Sequence, residues 1–205
     1  MSNGIAYPVF RTRDSALALA MARRMVAFGV QPCSEVSVEA EISSLPEVQR
    51  MRTALPEAWF TSWTAPQDAE DDVLDLARSV PAGELPDDLA AAEEYLPLTV
   101  SMPDQPVGSV EDHFTAVVGP HPAAIRWSAL MWPAAPERDL YGEGKHAEVT
   151  LLLNCDSIAL DAPAETHLVL VHVRRRNRDG YEDRFAQWLA ERIGQQVVGP
   201  PQDGG

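Results

Sequence analysis

The side chains with the clearest chemical potential are Glu148 and His172, each inside a β-type run of Val and Leu. A carboxylate beside an imidazole favours the charged ring and can pass protons, so the pair would suit acid–base chemistry. The runs are residues 146–155 and 166–174, joined by a connection over 156–165 that carries Asp161 and Pro163. A hairpin turning near Leu160 puts Glu148 opposite His172 and Leu153 opposite His167. Val149, Leu151, Val169, Val171 and Val173 then share one face. Glu148, Thr150, Leu152, Leu168, Leu170 and His172 share the other. The first face reads as core. The second is half polar, and it either lies under a helix or lines a pocket. A cross-strand ion pair without function is the plainer account of Glu148 and His172, since such pairs contribute under about 1 kcal/mol.

His146 and Glu148 fall on one strand face, where His172 can join them, and two His with a carboxylate would suit zinc or iron. None of the short zinc signatures accompanies them, so neither metal nor cofactor is expected. The stretch Gly142, Glu143, Gly144, Lys145 superficially evokes a phosphate loop. It lacks the Gly spacing and the Ser/Thr after Lys, and reads better as a turn. There is no Gly-x-Ser-x-Gly elbow. Cys33 and Cys155 are far apart and read as buried thiols rather than a disulfide.

Charge offers two further candidate surfaces. The chain carries 31 acids against 16 Lys and Arg, a net −15. Residues 68–94 hold ten acids and one base, Arg78, and so nine of those net charges. At its head, Asp68, Glu70, Asp71, Asp72 and Asp75 are candidates for contact with a basic protein or peptide. Part of this acidity has a structural reason. Asp68 can cap a helix with Val73, Leu76 and Val80 inward, and Pro86 can start another with Leu89 and Tyr95 inward. The basic run Arg174, Arg175, Arg176 and Arg178 can bind a phosphate or carboxylate, or pair with the chain's own acids. The overall field repels nucleic acid and anionic membranes.

The elements that must position these groups follow from periodicity. Residues 5–13 read as a strand, and Asp14 as the cap of a helix with Leu17, Met21, Met25 and Phe28 on one side. Val36, Val38, Ala40 and Ile42 alternate with Glu35, Ser37, Glu39 and Glu41, which predicts a strand with one apolar and one wet face. No Gly-rich turn follows the first strand, so a dinucleotide site is unsupported. Ser44 to Glu47 is a capping box opening a short helix. Residues 59–64 read as a third strand with aromatics on both faces. Further strands are predicted at 98–102, 113–118 and 124–132, and a last helix at 181–193 with Tyr181, Phe185, Trp188, Leu189 and Ile193 on one side. The five Trp read as core by default, but one exposed beside the acidic block would mark an interface.

These readings define an α+β fold: an N-terminal β-α-β-α-β part (1–66), an acidic helical segment (67–96), and an antiparallel sheet with the C-terminal helix packed on it (97–198). They are expected to form one compact domain, with a disordered tail at 199–205. The N-terminal MSNGIAYPVFRTRD shows no basic region leading into an apolar run, and nothing approaches a membrane span, so the cytoplasm is the default compartment. The leading functional expectation is an acidic binding module, like an immunity protein, antitoxin or adaptor, that engages a basic protein or peptide. The alternatives are a small enzyme using Glu148 and His172, and a structural subunit of a larger assembly.

Overall fold

A computed structural model describes residues 4–30, 35–62, 79–86, 88–176 and 180–204. In chain order these form β1 (Gly4–Thr12), α1 (Ser15–Phe28), β2 (Glu35–Ile42), α2 (Leu45–Ala54), β3 (Trp59–Thr61) and β4 (Val80–Pro81). Then come β5 (Leu98–Pro106), α3 (Glu111–Val117), β6 (Ala123–Ser128), β7 (Glu148–Leu153), β8 (His167–Arg174), α4 (Tyr181–Arg192) and β9 (Gln202–Gly204). Among the described residues the strands make one nine-stranded sheet in the order β4-β3-β5-β2-β6-β7-β8-β1-β9. Every pairing is antiparallel.

The mixed α+β class and the antiparallel sheet agree with the sequence. The N-terminal part does not form a unit of its own. β1 lies between β8 and β9, β2 between β5 and β6, and β3 between β4 and β5. The loops of the chain thus carry the first three strands to separate places in a common sheet.

Local chemistry sets the helix ends. Leu17 N donates to Asp14 Oδ1 at 3.0 Å, capping α1, and the Gly29 amide closes its other end on Met25 and Val26. At α2 the Glu47 carboxylate accepts from the Ser43 amide and the Ser44 hydroxyl, a variant of the capping box. One strand prediction is overturned: residues 113–118 lie mostly in α3, not in a strand. The Glu111 carboxylate, fully buried, accepts from the Gly108 and Val110 amides and from Trp127 Nε1 at 3.0 Å. That anchor, with Phe114 buried beneath it, outweighs the β-branched residues Thr115, Val117 and Val118.

The acidic segment is also revised. Residues 63–78 and 87 lie outside the described residues, and with them the first predicted acidic helix and the end of the predicted 59–64 strand. The second is a short 3-10 helix, Leu89–Tyr95, capped by Asp88, and Val80 pairs in β4 instead of closing a helix. The predicted disordered tail contains β9, which pairs with β1 from Gly4↔Gly204 to Ala6↔Gln202.

The main core lies on one side of the sheet. Met25, Met51, Phe114, Phe185 and Trp188 from the four helices pack there on Val38, Val100, Trp127, Leu151 and Val171. A smaller cluster of Ala6, Ala124, Leu152, Cys155, Leu168 and Leu170 lies on the opposite face, beneath Ile158 and Leu160 of the β7–β8 connection. None of the described helices is long and apolar enough to cross a membrane. Glu111→Ala strands three donors at the junction of α3 and β6. It is expected to cost about 2–3 kcal/mol, read as a lowered urea midpoint.

Candidate functional site

The hairpin of β7 and β8 has the register the sequence predicts, with Glu148 opposite His172 and Val149 opposite Val171. Side chains at even positions point away from the helices. β6 adds Arg126 opposite Thr150, and β2 adds Glu39 opposite Ala124 on that same face. No helix of the described residues covers it. The face opens into a cleft of about 750 Å³ whose walls include Glu39, Arg126, Glu148, His172, Ile158 and Gln202. This size lies in the range of small-ligand sites.

At the centre is a short relay. The Thr150 hydroxyl donates to Glu148 Oε1 at 2.9 Å and lies 2.9 Å from His172 Nε2. Having spent its proton on Glu148, Thr150 accepts from the ring, which places the proton of a neutral imidazole on Nε2. Glu148 Oε1 is also 3.5 Å from Nε2. Burial pushes the His172 pKa below its ordinary value of 6.5; Glu148 opposes the shift, while Arg126 and His146 add to it. The ring is therefore neutral at physiological pH. Trp132 Nε1 donates to the His172 carbonyl at 2.7 Å and fixes the backbone beneath it. Gly204 of β9 presses on the other ring nitrogen, where a Cβ would come within 3.0 Å of Nδ1.

The outer wall is the connection between β7 and β8, which turns at Leu160 with φ 59°. Gln202 pins it from β9: its Oε1 accepts from the Ile158 amide at 3.0 Å and its Nε2 donates to the Asp156 carbonyl at 2.8 Å. Asp156 is tied in turn to Arg11 at 2.7 Å. Beyond this wall a second cleft of about 280 Å³ shares Glu39 and Ala159 with the first and adds Glu41, Thr99 and Asp161.

The charge of the two clefts is lopsided. Their walls carry five carboxylates, Glu39, Glu41, Glu148, Asp161 and Asp203. Two guanidiniums oppose them: Arg126, held by Glu39 at 2.6 Å, and Arg175, held by Asp203 at 2.7 Å. With His172 neutral, the surface attracts cations.

The other sequence candidates fall elsewhere. Asp68, Glu70, Asp71, Asp72 and Asp75 lie outside the described residues, as do Cys33, Trp63 and Arg178. Arg175 and Arg176 pair with the chain's own acids, Asp203 and Glu143, and the Arg176 amide also donates to Glu182. Arg174 ends β8 half-buried. His146 turns with φ 65° just before β7, and the described residues contain no group of ligands that could hold a metal. Cys155 is a free, buried thiol. Sequence reasoning missed Glu39, Arg126 and Gln202. The wet face of β2 was visible in its alternation, but nothing local says that β2 and β6 border the hairpin.

No protein-family model matches the chain, and neither a curated protein nor a solved structure matches it.

The depressed His172 pKa has a thermodynamic consequence. The unfolded chain takes up a proton near pH 6.5 that the folded ring refuses, so the contribution of this site to stability is complete above that pH and declines below it. Urea midpoints measured from pH 7.5 down to about 5 are expected to fall less steeply for His172→Gln than for the natural chain.

Proposed function

We propose that the protein is an acidic binding module for a basic protein or peptide, and that a cationic side chain of the partner enters the cleft on the sheet face opposite the described helices. The observation that carries this reading is the cleft itself: a ligand-sized recess with five carboxylates on its walls and those of its neighbour, against two guanidiniums already paired. Glu148 holds Thr150 and faces the cleft, so an incoming guanidinium or ammonium meets a partly desolvated carboxylate rather than a fully solvated one. The net charge of −15 would steer basic partners to the molecule from any direction.

N-acetyl-arginine amide is a suitable probe, followed by NMR. Saturable shifts of the Glu148, Thr150 and His172 amides are expected, weakened about two- to fivefold by Glu148→Gln and reduced by salt. Absence of saturable shifts at these amides would overturn the reading.

The Thr150-bridged contact favours a second reading, a small enzyme in which Glu148 accepts a proton from the substrate while the Nε2–H of neutral His172, acting through Thr150, holds the carboxylate in place. Comparing small-molecule extracts incubated with the natural protein and with His172→Gln tests it. A compound consumed only by the natural protein supports catalysis, and identical profiles reject it.

A further inference from the structure

The sheet face that no described helix covers carries one more feature. Trp59 is 40% exposed, whereas Trp127, Trp132 and Trp188 are at most 2% exposed. It stands on β3 beside Phe60, which alternation turns to the opposite, buried face. Trp59 pairs with Ser101 of β5, and Ser101 pairs with Glu39 of β2. Directly paired residues point to the same side, so Trp59 shares its face with Glu39 and the cleft. Two strand spacings separate the Trp59 and Glu39 backbones, about 10 Å. The Ser101 side chain is the only step in that row between them, and Thr99 lies in the next row beside Glu41. The second cleft, with Glu39, Glu41 and Asp161, occupies this same region.

An exposed indole at one end, small hydroxyls along the floor and carboxylates at the other end suit one chemistry. A guanidinium stacks on an indole face and forks to carboxylates, and an ammonium does both less well. On an extended peptide, side chains on one side recur about every 7 Å, and the reach of an arginine stem covers the remaining distance. We infer that the ligand is an arginine-bearing extended segment laid across the sheet face opposite the described helices, with one guanidinium in the Glu39–Glu148 cleft and another on Trp59. This inference rests on the binding reading above and adds a second subsite and a preference for arginine over lysine.

Titration with hexa-arginine and hexa-lysine peptides, followed by calorimetry, tests it. The natural protein is expected to prefer hexa-arginine, and Trp59→Ala to weaken hexa-arginine binding about three- to fivefold while reducing that preference. Glu39→Gln with Glu41→Gln is expected to weaken it more than Glu57→Gln with Glu84→Gln, which removes equal charge at exposed sites outside both clefts. Trp59→Phe, retaining a ring, should lie between the natural protein and Trp59→Ala. Equal binding by Trp59→Ala, or equal loss in the two charge-matched pairs, overturns the inference. Binding of N-acetyl-arginine amide separates the two proposals. If it binds in the Glu148 cleft and Trp59→Ala leaves hexa-arginine binding unchanged, only the second subsite fails. If neither the amide nor the peptide binds, the binding reading fails with it.

Discussion

Among the described residues, coverage of the sheet by helices on one side is the constraint from which the rest follows. Helices α1 to α4 and the Leu89–Tyr95 turn bring their apolar side chains to one face, where Trp127, Ile125, Leu151 and Val171 meet them. A strand presents alternate residues to opposite sides, so burying one set forces the other outward. Ser37, Glu39 and Glu41 on β2, Arg126 on β6, and Glu148 and Thr150 on β7 are brought together because their neighbours are core. The cleft is thus a by-product of the same alternation that stabilises the fold. Around Ala6, Ala124, Leu152, Leu168 and Leu170 the outer face turns apolar, and there the β7–β8 connection folds back to cover it with Ile158 and Leu160.

That folding back makes the site a composite of distant segments. Residues from β2, β6, β7, β8 and β9 meet at the cleft, and the Gln202 side chain holds the backbone of the connection at two points. Buried His172 sits between the Thr150 hydroxyl and Gly204, so the strand that pins the wall also packs against the ring. The acids at the rim repel one another. Pairing of Glu39 with Arg126 and of Asp203 with Arg175 relieves part of that repulsion and leaves the surface negative.

Much of the local structure was legible in the sequence because its causes are local. Asp14 and Glu47 announce helix starts, the alternation of β2 announces a half-wet strand, and the turn at Leu160 sets which residues of β7 and β8 face each other. What was not legible depends on contacts distant in sequence. Residues 113–118 look β-like until the Glu111 carboxylate is seen to gather the Trp127 indole and two amides around the start of α3. Gln202, Asp203 and Gly204 look like tail until β1 offers them an edge. The placement of β2 between β5 and β6, which brings Glu39 to the hairpin, leaves no mark in any single segment. Charge counting drew attention to residues 68–94, whereas the charged cleft draws its acids from positions scattered from Glu39 to Asp203.

The division of β2 into an inward and an outward set has a consequence beyond this one molecule. Val36, Val38, Ala40 and Ile42 hold the core, while Ser37, Glu39 and Glu41, interleaved with them, meet the surroundings. Substitution at the outward positions changes what the surface attracts and leaves the interior packing untouched. A scaffold built this way can change the charge and shape of its surface by drift at every second residue while retaining foldability.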